Sequence, residues 1–132
     1  MGAVALFQMA LGLGCNSRSE LFYLRFSPTG QVAADNQVTQ YGGAALVYSP
    51  IMALGPWTGL VWFDLDGALE GPNQTYFTVT DDDGHPLRDP ILLSGQGIYP
   101  WLASNGETFV AGWREGADVW DPDIAFGHIG CP

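Results

Sequence analysis

The feature that most restricts the fold of this sequence is a pattern that recurs after about 50 residues. Residues 49–53 and 99–103 share a proline, two apolar residues and an alanine in register. In both copies a glycine follows, and then an apolar stretch that ends in a tryptophan, Trp62 or Trp113. Recurrence at a period of this length is typical of repeat proteins, in which each unit is one small supersecondary structure.

A third element of the pattern is a short segment centred on aromatic residues, which recurs at residues 21–26, 75–80 and 123–128. In the first two copies it is followed by a turn and then by a closing apolar segment. One complete unit therefore reads as a proline strand, a tryptophan strand, a loop, an aromatic strand, a turn and a closing strand. Such a unit contains four strands.

Four strands in roughly 45 to 50 residues match the length of a β-propeller blade. The 18 glycines and 9 prolines are spread along the chain, as turns between short strands are. We therefore predict one all-β domain over residues 1–132, built from β-propeller blades of four antiparallel strands. About two and a half units are expected, at residues 3–39, 49–94 and 99–132. An open β-sandwich is the alternative architecture.

Residues shared between the units are expected to pack between neighbouring blades, because one four-stranded sheet cannot bury both of its faces alone. A buried tryptophan removes roughly 150 to 250 Å² of surface from water. Trp101 takes the place of Ile51 in the 50-residue register and is also expected in the core. The predicted core of the repeat comprises Trp62, Trp113, Phe77, Phe126, Pro50 and Pro100.

The first and last units are incomplete in this register, so that the strands group as three, four and three. Because a propeller needs at least four blades and open sheet edges promote aggregation, we expect the ring to be completed by something else. Copies of the chain can assemble, another chain can supply the remaining blades, or the sequence is a piece of a longer propeller. A dimer would offer about twenty strands, enough for five blades.

The balance of charges excludes some partners. All 4 basic residues are arginine, against 14 acids, and the formal net charge is −10. Nucleic acids and anionic membranes bind clustered positive charge, which this sequence lacks. No apolar run approaches the roughly 18 to 20 residues of a membrane span. Cations, sugars and basic protein surfaces remain as expected partners.

The order of residues 100–106, 109–113 and 123–126 resembles the propeller repeats of TolB-type periplasmic proteins, and also the tryptophan-containing repeats of bacterial secreted proteins and lipoproteins. The sequence departs from the TolB-type pattern at residues 104–106, which are Ser-Asn-Gly where that family carries a Ser-Pro-Asp-Gly turn. The resemblance implies an extracytoplasmic scaffold, whether periplasmic, cell-surface or secreted. It implies no particular ligand.

The segment ahead of Cys15 has two interpretations. Residues 3–14 superficially resemble a lipoprotein signal, but they lack a positively charged beginning. A core strand is the interpretation we favour. A bridge between Cys15 and Cys131 would close almost the whole chain, and the sequence alone does not place the two residues within bonding reach.

The run Asp81, Asp82 and Asp83 is the strongest polar feature, because carboxylates in a loop bind Ca²⁺ through their oxygens. The same composition suits a tight hairpin turn, in which Gly84 supplies a positive φ. The turn at the equivalent position of the first unit, residues 27–30, contains no carboxylate. A turn is therefore favoured over a calcium site, and no cofactor is expected.

A second candidate site lies in loops that a propeller would gather on one face. Trp57 and Trp120 have no tryptophan counterpart in the other units, and Asp118 and Asp121 lie beside Trp120. An aromatic ring next to carboxylates is an arrangement that binds sugars. Ordinary packing of a loop accounts for the same residues.

We therefore expect a non-enzymatic binding or scaffold module, a propeller part that self-association or a partner chain completes. The strongly patterned residues serve packing, which leaves function to the loops. A carbohydrate-binding, lectin-like assembly is the alternative. A glycosidase-like hydrolase is the third hypothesis, and it requires two carboxylates roughly 5 to 10 Å apart. No catalytic residue is predicted, because neither His85 nor His128 has a partner at metal or triad spacing.

Overall fold

The computed structural model describes residues 4–11, 18–39, 45–47, 51–65, 73–116 and 123–130. These residues form strands and turns without a helix, which confirms the all-β class. The described strands are β1 (Val4–Leu11), β2 (Arg18–Phe26), β3 (Val32–Gln37), β4 (Ala45–Val47), β5 (Ile51–Leu54), β6 (Trp57–Leu65), β7 (Gln74–Thr80), β8 (Ile91–Ser94), β9 (Gly97–Ser104), β10 (Thr108–Glu115) and β11 (Asp123–Gly130).

The strands form three antiparallel sheets. Sheet A has the order β1-β2-β3, sheet B the order β4-β6-β7-β8 with β5 also on β6, and sheet C the order β11-β10-β9. Apart from β4, which pairs with β6 and not with β5, strands that follow each other within a sheet also pair, which is the antiparallel meander that short turns produce. None of the three sheets closes on itself within the described ranges.

Two short strands share one edge of sheet B. β4 pairs with the end of β6, and β5 pairs with its beginning. β7 pairs along nearly the whole length of the other side of β6, and β8 forms the opposite edge of the sheet. Sheet B is therefore four strands wide, whereas sheets A and C are each three strands wide.

The hairpins β5–β6 and β9–β10 have the same pairing register. Ile51 pairs with Leu60, and Leu102 pairs with Ala111, so both partners in the second hairpin lie 51 residues further along the chain. The sequence pattern had suggested an offset of 50 for the first strand of each hairpin. The difference of one residue reverses which side chains face which side of the sheet.

The register corrects the expectation for Trp101. Leu102, and not Trp101, stands where Ile51 stands in the earlier hairpin. Leu102 is accordingly buried, whereas Trp101 lies on the opposite face of sheet C and is 42% exposed.

Each sheet has a front face and a back face, which we define from two neighbouring long strands: β1 and β2 in sheet A, β6 and β7 in sheet B, and β10 and β11 in sheet C. Residues that pair across these strands lie on the same face of the sheet. The pairs Phe7–Phe22, Trp62–Tyr76 and Trp113–Ala125 define the front faces of sheets A, B and C, and the pairs Leu6–Tyr23, Val61–Phe77 and Gly112–Phe126 define their back faces.

The back face of sheet A packs on the front face of sheet B. Leu21, Tyr23 and Val38 from sheet A form a buried cluster with Leu60 and Trp62 from sheet B. Trp62 is fully buried there and stacks on Tyr76, with 5.9 Å between the ring centroids.

The back face of sheet B packs on the front face of sheet C in the same way. Phe77 and Phe109 lie at the centre of this contact, with their ring centroids 5.6 Å apart. Gly59 lets the sheets approach closely, since a Cβ atom there would lie 2.7 Å from the Phe109 ring. The buried residues of this cluster are Val61, Phe77, Val79, Leu102, Phe109, Ala111 and Trp113.

Sheet B is therefore covered on both faces, and its central strand β6 is buried from Thr58 to Phe63. Of the predicted repeat core, Trp62, Trp113, Phe77 and Pro100 are buried, and Pro50 lies outside the described residues. Phe126 differs from the expectation because it lies on the back face of sheet C and is 70% exposed. Within the described ranges, no helix is long and apolar enough to cross a membrane.

Candidate functional site

The back face of sheet C exposes several large apolar side chains. Phe126 is 70% exposed, Ile124 is 61% exposed and Trp101 is 42% exposed. The pairing of β10 with its two neighbours also places Val110 and Ala103 on this face. Contiguous apolar surface rimmed by polar residues marks a binding surface in soluble proteins.

Trp101 lies flat on the sheet because Gly112 leaves room for its ring. A Cβ atom at position 112 would clash with Cε2 and Cζ2 of Trp101. In sheet B, by contrast, Val61 holds the back-face position next to Phe77. The indole therefore fills the space of a missing side chain and presents its other side outward beside Phe126.

The front face of sheet A is the second apolar surface at the end of the stack. Phe22, Leu24 and Phe26 alternate along β2 with residues of the buried back face, and all three are half-buried. Val32, which pairs with Phe26, is 57% exposed. Among the described residues, no further sheet covers this face or the back face of sheet C.

The two end faces differ in charge. The register places Arg114 and His128 on the back face of sheet C. The carboxylates of its strands, Glu115 and Asp123, pair with each other on the front face. On the front face of sheet A, Asp35 pairs with Leu24, and the register also places Glu20 on this face and Arg18 at its end.

The turn that contains Asp81, Asp82 and Asp83 is a hairpin turn between β7 and β8. The Asp81 carboxylate accepts hydrogen bonds from the backbone N–H groups of Asp83 and His85, both at 2.9 Å. Burial of Asp81 disfavours its charge, but these N–H donors and the His85 ring outweigh that effect and lower the pKa of the carboxyl group. This carboxylate stabilises the turn.

The same turn attaches sheet B to sheet A. The Tyr23 hydroxyl donates a hydrogen bond to the carbonyl oxygen of Asp82 at 3.1 Å. Arg25 forms an ion pair with Asp83 at 2.7 Å, and the Asn36 side chain donates a hydrogen bond to the Asp83 carbonyl. Two of the three predicted calcium ligands therefore have protein partners. In the part of the chain that the structure describes, no group of three His, Cys, Asp or Glu side chains is arranged to hold a metal ion.

The predicted sugar site is only partly described. Trp57 is half-buried and packs against the cluster between sheets B and C, which is the packing role rather than that of an exposed platform. Trp120, Asp118 and Asp121 lie outside the described residues, as do Cys15 and Cys131.

A cavity of about 570 Å³ opens between sheets A and B, and sequence reasoning did not find it. Burial raises the pKa of the Tyr76 hydroxyl at its wall, and the nearby Asp64 carboxylate adds to this effect. No sequence motif marks the cavity, because its residues come from the end of β3 and the two residues after it, from β7 and from the segment before β8. They are Gln37, Val38, Thr39, Tyr76, Pro86, Arg88, Asp89 and Pro90.

Comparison with protein-family models, with curated proteins and with solved structures finds no match to this chain. The two end faces of the stack and the cavity are therefore the features from which a function can be proposed.

Proposed function

We propose that this chain is a non-enzymatic scaffold module of the β-propeller type, which binds other protein through the two end faces of its stack of sheets. The observation that carries the proposal is the contrast between Phe77 and Phe126. Both lie on a back face, each paired with the central strand of its sheet, yet Phe77 is 0% exposed and Phe126 is 70% exposed.

The contrast has a simple physical meaning. The back face of sheet B is covered by the front face of sheet C, whereas the equivalent face of sheet C has no described cover. Burial of apolar surface contributes about 25 cal/mol per Å², and an aromatic side chain offers roughly 150 to 250 Å². A protein surface that covered Phe126, Trp101 and Ile124 would therefore gain several kcal/mol.

The engaged carboxylates support a scaffold over an enzyme. Glu115 accepts a hydrogen bond from the Ser94 hydroxyl at 2.5 Å and so joins sheet C to sheet B. Glu20 accepts one from the Thr39 hydroxyl at 2.6 Å. Asp81 stabilises its own turn, as described above. These groups hold strands and turns together.

The resemblance to secreted and periplasmic repeat proteins leads us to place this module outside the cytoplasm as part of the proposal. An extracytoplasmic scaffold would present its end faces to other envelope or secreted proteins.

The test is hydroxyl-radical footprinting of the side chains on the back face of sheet C. The extent of labelling of Phe126 and Trp101 is measured twice, once for the chain in an extract of the cells that produce it and once for the chain in denaturant. Leu87, which is 45% exposed in the loop between β7 and β8, serves as the internal reference. We expect Phe126 to be protected at least fivefold relative to Leu87 in the extract. Equal labelling of the two residues would contradict the proposal.

The cavity between sheets A and B favours a second candidate, a carbohydrate-binding role. Ligand cavities typically enclose about 300 to 1,000 Å³ and combine apolar walls with a few polar groups. Here an aromatic ring and two prolines face an amide, a hydroxyl, a guanidinium and a carboxylate. These are groups that contact the apolar face and the hydroxyl groups of a sugar.

This candidate is tested by NMR titration of the chain with a panel of neutral monosaccharides and disaccharides. Binding should shift the amide signals of Gln37 and Thr39, and the Arg88→Ala variant should abolish the shifts. Arg114→Ala is the matched control, because Arg114 lies away from the cavity on sheet C. An absence of shifts at millimolar sugar would exclude the role.

A further inference from the structure

Resting on the proposed function, we infer that the partner on the back face of sheet C is a second copy of this chain, which contributes the front face of its sheet A. The contact is head-to-tail: the end face of one copy that carries Phe126 meets the end face of the other copy that carries Phe22.

The first support is that the chain already contains this type of contact twice. The back face of sheet A is covered by the front face of sheet B, and the back face of sheet B by the front face of sheet C. Back faces therefore pack against front faces within the molecule. The two remaining faces are one back face and one front face, which is the combination that a further contact of the same type requires.

The second support is the residue pairing between the two strands that define the faces of each sheet. Trp62 and Trp113 are members of the residue pairs that define the front faces of sheets B and C. Both are buried against the back face of the sheet that comes before them in the chain. In sheet A, the pair at this position is Phe7 with Phe22. Sheet A thus has an aromatic residue at the position from which the tryptophans of the other two sheets contact their neighbour.

Charge decides between a head-to-tail and a back-to-back contact. The chain has a formal net charge of −10, so contact between two copies requires faces with few carboxylates. The back face of sheet C carries Arg114 and His128, and the front face of sheet A carries Glu20, Asp35 and, at the end of β2, Arg18. A head-to-tail contact brings two carboxylates of one copy towards Arg114 of the other, whereas a back-to-back contact would bring Arg114 of both copies together.

The number of sheets fits a closed assembly. Three sheets per chain give six in a pair of copies, which lies within the four to eight blades of known propellers. If the two free end faces also meet, the two copies are related by a rotation of half a turn. The ring is then closed and its two interfaces are identical.

The assembly is tested by the mass of the purified chain in solution, measured by light scattering over a dilution series. We expect a species of twice the 14.2 kDa of one chain. The Phe126→Glu and Leu24→Glu variants should each raise the dissociation constant at least about tenfold, because each places a charge in an apolar contact. Ile124→Glu, at a position that is 61% exposed, repeats the first test at a second site of the same face.

Mixing the variants separates the head-to-tail contact from the alternatives. Phe126→Glu chains retain an intact front face of sheet A, and Leu24→Glu chains retain an intact back face of sheet C. Their equimolar mixture should therefore form a 1:1 complex, although each variant alone is monomeric. Leu87→Glu is the matched control, since it adds the same charge at an exposed leucine outside both faces, and it should remain dimeric.

Three outcomes would overturn the inference. The first is a wild-type chain that remains monomeric at 100 μM. The second is a dimer that Phe126→Glu disrupts but Leu24→Glu does not, which indicates a back-to-back contact. The third is a mixture of variants that fails to associate. If the purified chain is monomeric while Phe126 is protected in the cell extract, the proposed function survives and its partner is a different protein.

Discussion

The ring of Tyr23 lies against the backbone of Gly84, so closely that a Cβ atom at position 84 would clash with the ring. Tyr23 belongs to sheet A, and Gly84 ends the Asp81–Gly84 turn of sheet B. The contact therefore joins two sheets through residues that are far apart in the sequence. Tyr23 is itself fully buried. Its hydroxyl bonds to the neighbouring Asp82 carbonyl, which fixes the turn against the ring.

Replacing Gly84 by alanine is expected to destabilise the chain by about 2 to 5 kcal/mol. The φ of 85° is unfavourable for alanine by about 1 to 2 kcal/mol, and the clash with Tyr23 adds about 1 to 3 kcal/mol. Urea denaturation measures the change. Gly106→Ala is the control, because its φ of 93° is similar but no atom lies within 4 Å of the added Cβ. An equal loss in the two variants would exclude a contribution from the Tyr23 contact.

Phe77→Ala and Phe126→Ala form a matched pair for the difference between the two back faces. Phe77 is fully buried, and its truncation should cost about 3 to 5 kcal/mol of unfolding free energy. Phe126→Ala should cost less than about 0.5 kcal/mol in the separated chain. The comparison is made by urea denaturation at low protein concentration. A large loss for Phe126→Ala under these conditions would show that its face is covered within the single chain.

The Asp81 carboxyl group should make stability depend on pH in the acid range. Its pKa is lower in the folded chain than its ordinary value of 3.8, so the unfolded chain takes up the proton first as the pH falls. The contribution of Asp81 is complete above pH 3.8 and is lost as the pH drops through the lower, folded value. In Asp81→Asn, the amide oxygen still accepts the two N–H bonds. We therefore expect its urea midpoint to fall less steeply between pH 4 and pH 2 than that of the wild type. Parallel curves would contradict this assignment.

The ion pair between Arg25 and Asp83 should contribute little to stability despite its length of 2.7 Å. The two side chains are 35% and 57% exposed, and exposed pairs typically contribute less than about 1 kcal/mol. A double-mutant cycle with Arg25→Met and Asp83→Asn measures the coupling. We expect it to decrease further in 1 M NaCl, where charges are screened within about 3 Å. A coupling well above 1 kcal/mol would require the pair to be shielded from water.

The strands were predictable from the sequence, because turn residues and apolar segments mark them locally. The aromatic segments at residues 21–26, 75–80 and 123–128 indeed lie within β2, β7 and β11. The face of the sheet on which each side chain lies was less predictable. Pro50 and Pro100 suggested an offset of 50, whereas the hairpin pairing follows 51, and this one residue moves Trp101 from the expected core to an exposed face.

The candidate surfaces were harder to predict for a different reason. Phe126 matches the core pattern of the repeat, and a pattern does not reveal whether a neighbouring sheet is present to cover the residue. The cavity beside Tyr76 also leaves no local signal, because its lining residues come from separate segments of sheets A and B. The Asp81 turn, by contrast, was indicated correctly as a hairpin turn, since Asp and Gly at such positions have strong local preferences.

The unlike end faces of the stack give the molecule a direction. In the head-to-tail contact that we propose, each copy that adds to one end presents a new face of the same kind, so that association does not stop by itself. It ends only if the rotation from sheet to sheet brings the last face round to the first. In such an assembly, that rotation alone determines whether the chain forms a closed, discrete particle or an open filament. Substitutions that alter the spacing between the sheets, such as those at Gly59, would shift the balance between the closed particle and the filament.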